Sequence, residues 1–221
     1  MITTKIETLT TTEAAVVAGV TLRNVNRSID EKILPEILYE VGPNGGRQIN
    51  VDACVFLSFY FESANRLTKE ERLRIIATAS KQLPLGQESA LEKEWLIRQE
   101  FLTVDLAPFL QGVRQRLARL QAARELVVED PEILNGTPMI RETRIPVYEV
   151  AARAAAEEPI WLLLEDYPRL TADVIDLARL FAEANPLPGR PARFSSLPVG
   201  ATIVASYSIP ADRLVLEKLA S

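Results

Sequence analysis

Polar residues at regular intervals divide the first eighty positions into short amphipathic segments. Thr10 stands three residues before Glu13, the spacing of a capping box, and predicts a helix through Ala14, Ala15, Val16 and Val17 that stops near Gly19. Thr21 caps a second helix. In it Leu22, Val25 and Ile29 recur at three- and four-residue intervals and are expected to face inward, leaving Arg23, Asn24, Asn26 and Arg27 on the outer face. Pro35 ends this unit. Ile37, Leu38, Tyr39 and Val41 then lead into Gly42-Pro43-Asn44-Gly45-Gly46 and on to Arg47, Gln48 and Ile49, a hairpin with Asn44-Gly45 as its turn signal. Asp52 is expected to cap a helix from Ala53 to about Arg66, whose aromatic side (Phe56, Phe59, Tyr60) closes the core or meets a partner helix. Thr68 and Glu71 repeat the capping-box spacing and open a helix reaching about Lys81.

Further on, Pro84, Gly86 and Gln87 mark a loop, and Trp95-Leu96-Ile97 and Phe101-Leu102-Thr103-Val104 supply a strand or two. From Pro108 a helix carries Leu106, Phe109, Leu110, Val113, Leu117 and Leu120 on one side, with Arg114, Arg116, Arg119 and Arg124 read as solvated charge around the rest. Proline and glycine then punctuate a turn-rich hairpin over residues 128–147. Pro146, Pro159 and Thr171 each begin a short helix; the third carries Val174, Ile175, Leu177, Ala178 and Phe181 as one stripe and stops at Asn185-Pro186. Pro186, Pro188, Pro191 and Pro198 argue against any continuing helix and predict an extended arm. The pattern is that of a mainly α protein with small β-hairpins. It divides into an N-terminal winged helix-turn-helix (1–82), a connecting strand and helix (83–128), a trihelical domain (129–185) and a tail (186–221).

Composition changes this picture by exclusion. The 221 residues include no histidine and one cysteine, Cys54, which removes Ser-His-Asp and Cys-His nucleophiles, histidine proton shuttles, cysteine-rich zinc sites and any intramolecular disulfide. No glycine-rich phosphate loop occurs among nine glycines, so catalysis is not expected, and neither is a metal or other cofactor. The reducing chemistry implied by a lone cysteine, with no secretory segment after Met1 and no apolar run long enough for a membrane span, points to the cytoplasm.

Charge adds a candidate chemistry. Arginine can bond guanine O6 and N7 in a fork and asparagine can do the same with adenine N6 and N7, while a wing residue beside a hairpin turn can reach phosphate or the minor groove. Thr21, Arg23, Asn24, Asn26, Arg27, Asn44 and Arg47 are therefore the candidate DNA-binding residues, against the plainer reading of a solvated helix face. Residues 1–80 are nearly neutral, so firm DNA binding calls for a homodimer that doubles the phosphate contacts. The net charge of −5 conceals an acidic stretch at 129–185 and a basic tail.

Two resemblances sharpen the reading. Thr12-Glu13-Ala14-Ala15 with Gly19-Val20-Thr21 resembles the start of the winged helix-turn-helix of the MerR and excisionase group. Asp130-Pro131-Glu132-Ile133-Leu134, then Gly136, Pro138, Ile140-Arg141 and Thr143-Arg144-Ile145-Pro146-Val147, followed by Glu165-Asp166-Tyr167-Pro168 and Leu170-Thr171, is similar to the domain of unknown function family 433 over about residues 129–185. That resemblance implies a homeodomain-like trihelical fold and, with a winged helix-turn-helix in front, a VapB-type antitoxin that acts beside a PIN-domain ribonuclease. Glu142 departs from the family, which usually has glycine there. Arg141, Thr143 and Arg144 are expected to hold the hairpin by bonding carboxylates such as Asp130 or Glu165.

A PIN nuclease gathers carboxylates around divalent metal, so an inhibitor can place arginine in that acidic pocket. Arg190, Arg193 and Arg213, with Phe194, Leu197 and Tyr207 as apolar anchors, are the candidate toxin-binding residues. The alternation from Ala201 to Ser208 keeps open a tail that instead folds back as strands on its own protein or a dimer mate. The expected function is that of an antitoxin and autorepressor that binds operator DNA and neutralises a PIN-domain ribonuclease through its tail. The alternative is a MerR-like regulator with no toxin partner.

Overall fold

The computed structural model describes residues 7–82, 95–99, 102–130 and 136–187. The loop expected at Pro84, Gly86 and Gln87, Phe101, the motif residues Pro131–Asn135 and the tail from residue 188 onward lie outside them. The described residues are mainly helical, with three small antiparallel sheets.

Strand β1 (Thr8–Thr10) leads straight into α1 (Thr11–Ala18), α2 (Leu22–Asp30) and a hairpin of β2 (Tyr39–Val41) and β3 (Arg47–Asn50). β3 lies between the other two strands, in the order β1-β3-β2, with Leu9 opposite Ile49 and Tyr39 opposite Ile49. Leu9 and Ile49 are fully buried, so this small sheet seals one side of the helix pair. The capping box at Thr10 is complete: its N–H donates to Glu13 Oε2 at 2.9 Å and its Oγ1 accepts from the Glu13 N–H at 3.3 Å. Gly19 ends α1 in the left-handed region at φ 70°. Thr21 Oγ1 accepts from the Asn24 N–H at 3.2 Å to start α2.

Helix α2 closes without glycine. Lys32 stands at φ 52°, its N–H bonds the Ile29 carbonyl and the Ile33 N–H bonds the Ser28 carbonyl at 2.8 Å, the reciprocal pair of a Schellman stop. Its buried stripe is Val25, Ser28 and Ile29; Leu22, expected to face inward, is 41% exposed because it begins the helix before any neighbouring element covers it. The hairpin also differs in detail from a two-residue Asn44-Gly45 turn. Gly45 N–H donates to the Gly42 carbonyl and Gly42 N–H to the Gly46 carbonyl at 2.7 Å, with Gly45 at φ 75°, so Pro43, Asn44 and Gly45 form a three-residue loop.

Helix α3 (Val51–Glu62) is capped by Asn50, whose Oδ1 accepts from the Asp52 N–H at 2.9 Å, and not by Asp52, because β3 runs unbroken to Asn50. All positions from Ala53 to Tyr60 are buried, which makes α3 the centre of the first core and not a one-sided amphipathic helix. A 3-10 turn (Ser63–Asn65) and α4 (Lys69–Gln82) follow, α4 opening on the expected box between Thr68 and Glu71.

A two-stranded sheet of β4 (Leu96–Gln99) and β5 (Leu102–Asp105) delivers the chain to α5 (Ala107–Leu126). Helix α5 does more than connect. Leu110, Val113 and Leu120 join the first core, with α1 and α3 packed on this helix, while Ala123 belongs to a second core containing Ile140, Val150, Leu163, Ile175 and Phe181. Two of its arginines, expected as solvated charge, are structural. Arg116 donates through Nε to the Val17 carbonyl at 2.7 Å and through Nη2 to the Ala18 carbonyl at 3.2 Å, so a cation satisfies the free carbonyls at the negative end of α1. Arg124 reaches Glu13 at 2.7 Å and Glu7 at 3.4 Å. A Cβ on Gly19 would stand 3.2 Å from the Arg116 guanidinium and one on Gly112 3.3 Å, so the two glycines make room for it.

The second core begins with β6 (Val127–Val128) paired to β7 (Met139–Ile140) and continues through α6 (Val147–Ala155), α7 (Ile160–Asp166) and α8 (Ala172–Ala184), the three helices expected from Pro146, Pro159 and Thr171. The β-turn after Ile140 forms with Glu142 in place of the glycine that the family resemblance implies: Glu142 takes φ 61° and the Thr143 N–H bonds the Ile140 carbonyl at 3.0 Å. Backbone groups take the side-chain bonds described for Arg141 and Thr143. Arg141 Nε donates to the Glu125 carbonyl at 2.8 Å, and Thr143 Oγ1 donates to the Ile140 carbonyl at 2.7 Å and accepts from the Ile145 N–H. The Glu125 carbonyl at the end of α5 and the Ile140 carbonyl at the end of β7 are left within reach, and these side chains satisfy them. Arg153 clamps the α6–α7 corner by bonding Glu158 and Asp166. α8 packs on α6, α5 and α1, and through α1 and α5 the two cores share one compact unit ending at Leu187.

Candidate nucleic-acid interface

Helix α2 presents its outer face beside the β2–β3 hairpin because Val25 and Ile29 anchor the opposite face in the core. Nine residues give it a length of about 13 Å, and a helix about 10–12 Å across with its side chains fits a major groove about 12 Å wide. Arg23, Asn24, Asn26, Arg27, Asp30 and Glu31 line an open groove along this face.

These side chains are not equivalent. Arg23 is exposed in the first turn, and among the described residues it makes no hydrogen bond or ion pair. Asn24 is half-buried beside it, its backbone N–H taken by Thr21, so Thr21 acts here as the cap that orients the first turn. Asn44 is exposed at the tip of the hairpin. Arg47 is committed inward: Nη1 donates to Asn26 Oδ1 at 3.0 Å and to the Asn26 carbonyl at 3.4 Å, and Nη2 donates to Asp30 Oδ1 at 2.6 Å. Expected as a wing contact to phosphate, it instead ties the hairpin to α2, and it occupies both the side-chain oxygen and the carbonyl of Asn26 while doing so. Arg27 donates through Nε to Glu31 Oε1 at 2.7 Å and through Nη2 to Glu31 Oε2 at 3.4 Å, and Lys69 at the start of α4 approaches the same carboxylate at 3.7 Å. Hydrogen bonding from Arg27 holds the Glu31 carboxyl below its ordinary range.

The face therefore has two ends. At the N-terminal end Arg23 and Asn24 can offer donors to base edges or phosphates; at the C-terminal end Asp30 and Glu31 neutralise the nearby cations. The spacing of Arg27 and Glu31 is visible in the sequence as an i, i+4 pair. The parts played by Asp30 and Lys69 are not, because they bridge separate elements.

The remaining candidates fall elsewhere. Helix α8, the third of the trihelical group, buries Ile175, Ala178 and Phe181 and turns Asp173, Asp176 and Glu183 outward with Arg179, a face whose charge opposes phosphate. Arg190, Arg193, Phe194, Leu197, Tyr207 and Arg213 lie outside the described residues. Among the described residues no group of three or more cysteine or carboxylate side chains is placed to hold a metal ion, and no helix is long and apolar enough to cross a membrane.

Comparison with known proteins adds two findings. Residues 127–182 match the family described as protein of unknown function (DUF433). The whole chain is similar to the uncharacterized protein y4eO of Sinorhizobium fredii, 48% identical over 211 residues that cover 94% of this chain and 95% of that one. No solved structure matches.

Proposed function

The chain belongs to the same family as the uncharacterized protein y4eO, and we propose that it is a DNA-binding autorepressor and antitoxin. In this reading the strand, two helices and hairpin of residues 8–50 are a winged helix-turn-helix that binds operator DNA as a homodimer, and the protein performs no catalysis. One observation carries the reading: α2 stands on a buried stripe with Arg23 and Asn24 uncommitted by side-chain bonds among the described residues, next to a hairpin that Arg47 fixes to it. Arginine and asparagine in the first turn of an exposed helix are the groups that read guanine and adenine in the major groove. The near-neutral surface makes a dimer necessary for useful affinity, and twofold-related half-sites would then lie a helical turn of DNA or a multiple apart.

The test is binding of the full-length chain to duplex DNA from upstream of its own gene, followed by fluorescence anisotropy. Specific binding that Arg23→Ala and Asn24→Ala each weaken is the expected result; binding that both variants leave intact overturns the assignment of α2.

The toxin partner, a cytoplasmic PIN-domain ribonuclease held by the tail from residue 186, is supported by the likeness of residues 127–182 to the unknown-function family and by the basic, apolar composition of the tail. A regulator without a toxin is favoured by a different observation: among the described residues, the side chains that form the candidate DNA face and hold its hairpin lie within residues 21–69, apart from the trihelical group. Capture from native extract separates the two. Recovery of a small nuclease by the full-length chain but not by a chain ending at Asn185 supports the antitoxin; recovery of none, with DNA binding retained, supports the regulator.

A further inference from the structure

We propose that Glu31 is an intramolecular stand-in for a DNA phosphate, filling a cationic seat built by Arg27 of α2 and Lys69 of α4, and that duplex DNA binds by displacing it. This rests on the DNA-binding reading above and deepens it by naming a backbone contact outside the base-reading turn.

Three observations carry it. Two oxygens of one carboxylate engage cations from two separate helices, Arg27 through Nε at 2.7 Å and Nη2 at 3.4 Å, and Lys69 through Nζ at 3.7 Å. A forked guanidinium and an ammonium around one pair of oxygens is the arrangement that binds a phosphodiester. The groups are also open to solvent: the side chains of Arg27, Lys69 and Glu31 are 50%, 53% and 39% exposed, so a polyanion can reach them without unfolding anything. Lastly, Arg27 and Glu31 line the same groove as Arg23 and Asn24, about one and two turns further along, so a duplex read by the first turn passes its backbone near the last. Glu31 repels that backbone and must swing away as the phosphate enters.

Arg47 and Asp30 differ in this respect. Their 2.6 Å pair joins two parts of one substructure and Asn26 also engages Arg47, so it positions the hairpin and is not displaced.

The experiment uses the full-length chain and a random-sequence 30-base-pair duplex, because a phosphate seat acts on any sequence. Affinity is measured against KCl concentration for wild type, Glu31→Gln, Lys69→Gln and the double variant, with thermal unfolding run alongside to show that each variant is folded. The expected result is that Glu31→Gln tightens binding about two- to fivefold at low salt. Lys69→Gln weakens binding and lowers the slope of log affinity against log salt by about one, and it removes part of the gain from Glu31→Gln. Wild-type binding that Glu31→Gln leaves unchanged or weakens overturns the proposal while the DNA-binding reading stands. A gain of the same size with and without Lys69 overturns the seat and leaves only general charge. No binding by wild type or any folded variant overturns both.

Discussion

At the scale of single residues, three non-glycine side chains among the described residues occupy left-handed backbone: Lys32, Glu142 and Glu157 at φ 52°, 61° and 58°. Lys32 and Glu157 follow helix ends, where Glu157 sits in a Schellman stop closed by the Glu158 N–H on the Arg153 carbonyl at 3.3 Å. Glu142 fills the turn at which the resemblance to the unknown-function family implies glycine, and the Thr143 N–H still bonds the Ile140 carbonyl there. A Cβ in this region costs about 1 kcal/mol or more, offset in part by the extra freedom glycine has when unfolded. Glu142→Gly is therefore expected to raise the unfolding free energy, measured by urea denaturation, by about 0.5–1 kcal/mol, while Glu142→Ala, which keeps the Cβ, brings no such gain. Cys54 supplies a second residue-scale prediction. It is fully buried, and burial pushes its thiol up to about 12, so thiol reagents should label the native chain only as fast as the first core opens, and immediately in denaturant. Rapid labelling in native buffer would contradict the packing of α3.

At the scale of elements, the helix pair α1–α2 is held by α5. Arg116 closes α1 by bonding two of its last carbonyls, and hydrogen bonds to a charged donor in a partly buried site are worth about 1.5–3 kcal/mol. Arg116→Met should lower stability by an amount in that range, measured by urea unfolding, and loosen the turn that aims α2. The other end of α1 is pH-sensitive. Burial pushes the Glu13 carboxyl up, but hydrogen bonds from Arg124 and Thr10 outweigh it and hold the group below its ordinary range. A folded-state value below the unfolded one gives stability that is fully present above the ordinary carboxylate range and is lost as pH falls through the folded value. Glu13→Gln should thus cost stability at pH 7 and progressively less below about pH 4. An equal loss at pH 7 and pH 3 would contradict the ion pair.

Local signals explain which elements were legible in the sequence. The boxes at Thr10–Glu13 and Thr68–Glu71, the cap at Thr21, the stop at Gly19, the Gly-rich hairpin and the three helix starts at Pro146, Pro159 and Thr171 all act within a few residues, and each stands where its spacing places it. What escaped is long-range. Arg47 reads as a wing cation until Asp30 and Asn26, 17 and 21 residues away, are brought beside it. Arg116 reads as solvated charge until the end of α1, 98 and 99 residues earlier, packs against α5. Side-chain partners set by tertiary packing leave no mark in helical periodicity.

At the scale of the whole molecule, residues up to Leu187 are one compact unit in which α1 touches both α5 and α8. The candidate DNA face thus stands on a helix pair braced by the domain of unknown function, while the outer side of α8 carries Asp173, Asp176 and Glu183, charge that opposes phosphate. The central claim is that α2 reads DNA. Its most direct test is the anisotropy titration of the full-length chain against the duplex from upstream of its gene, beside the Arg23→Ala variant. Specific, salt-dependent binding by wild type and a loss of about 1–3 kcal/mol with relaxed sequence preference in Arg23→Ala is the predicted result. Equal binding of both proteins, or no preference of wild type for that duplex over a scrambled one, would contradict it.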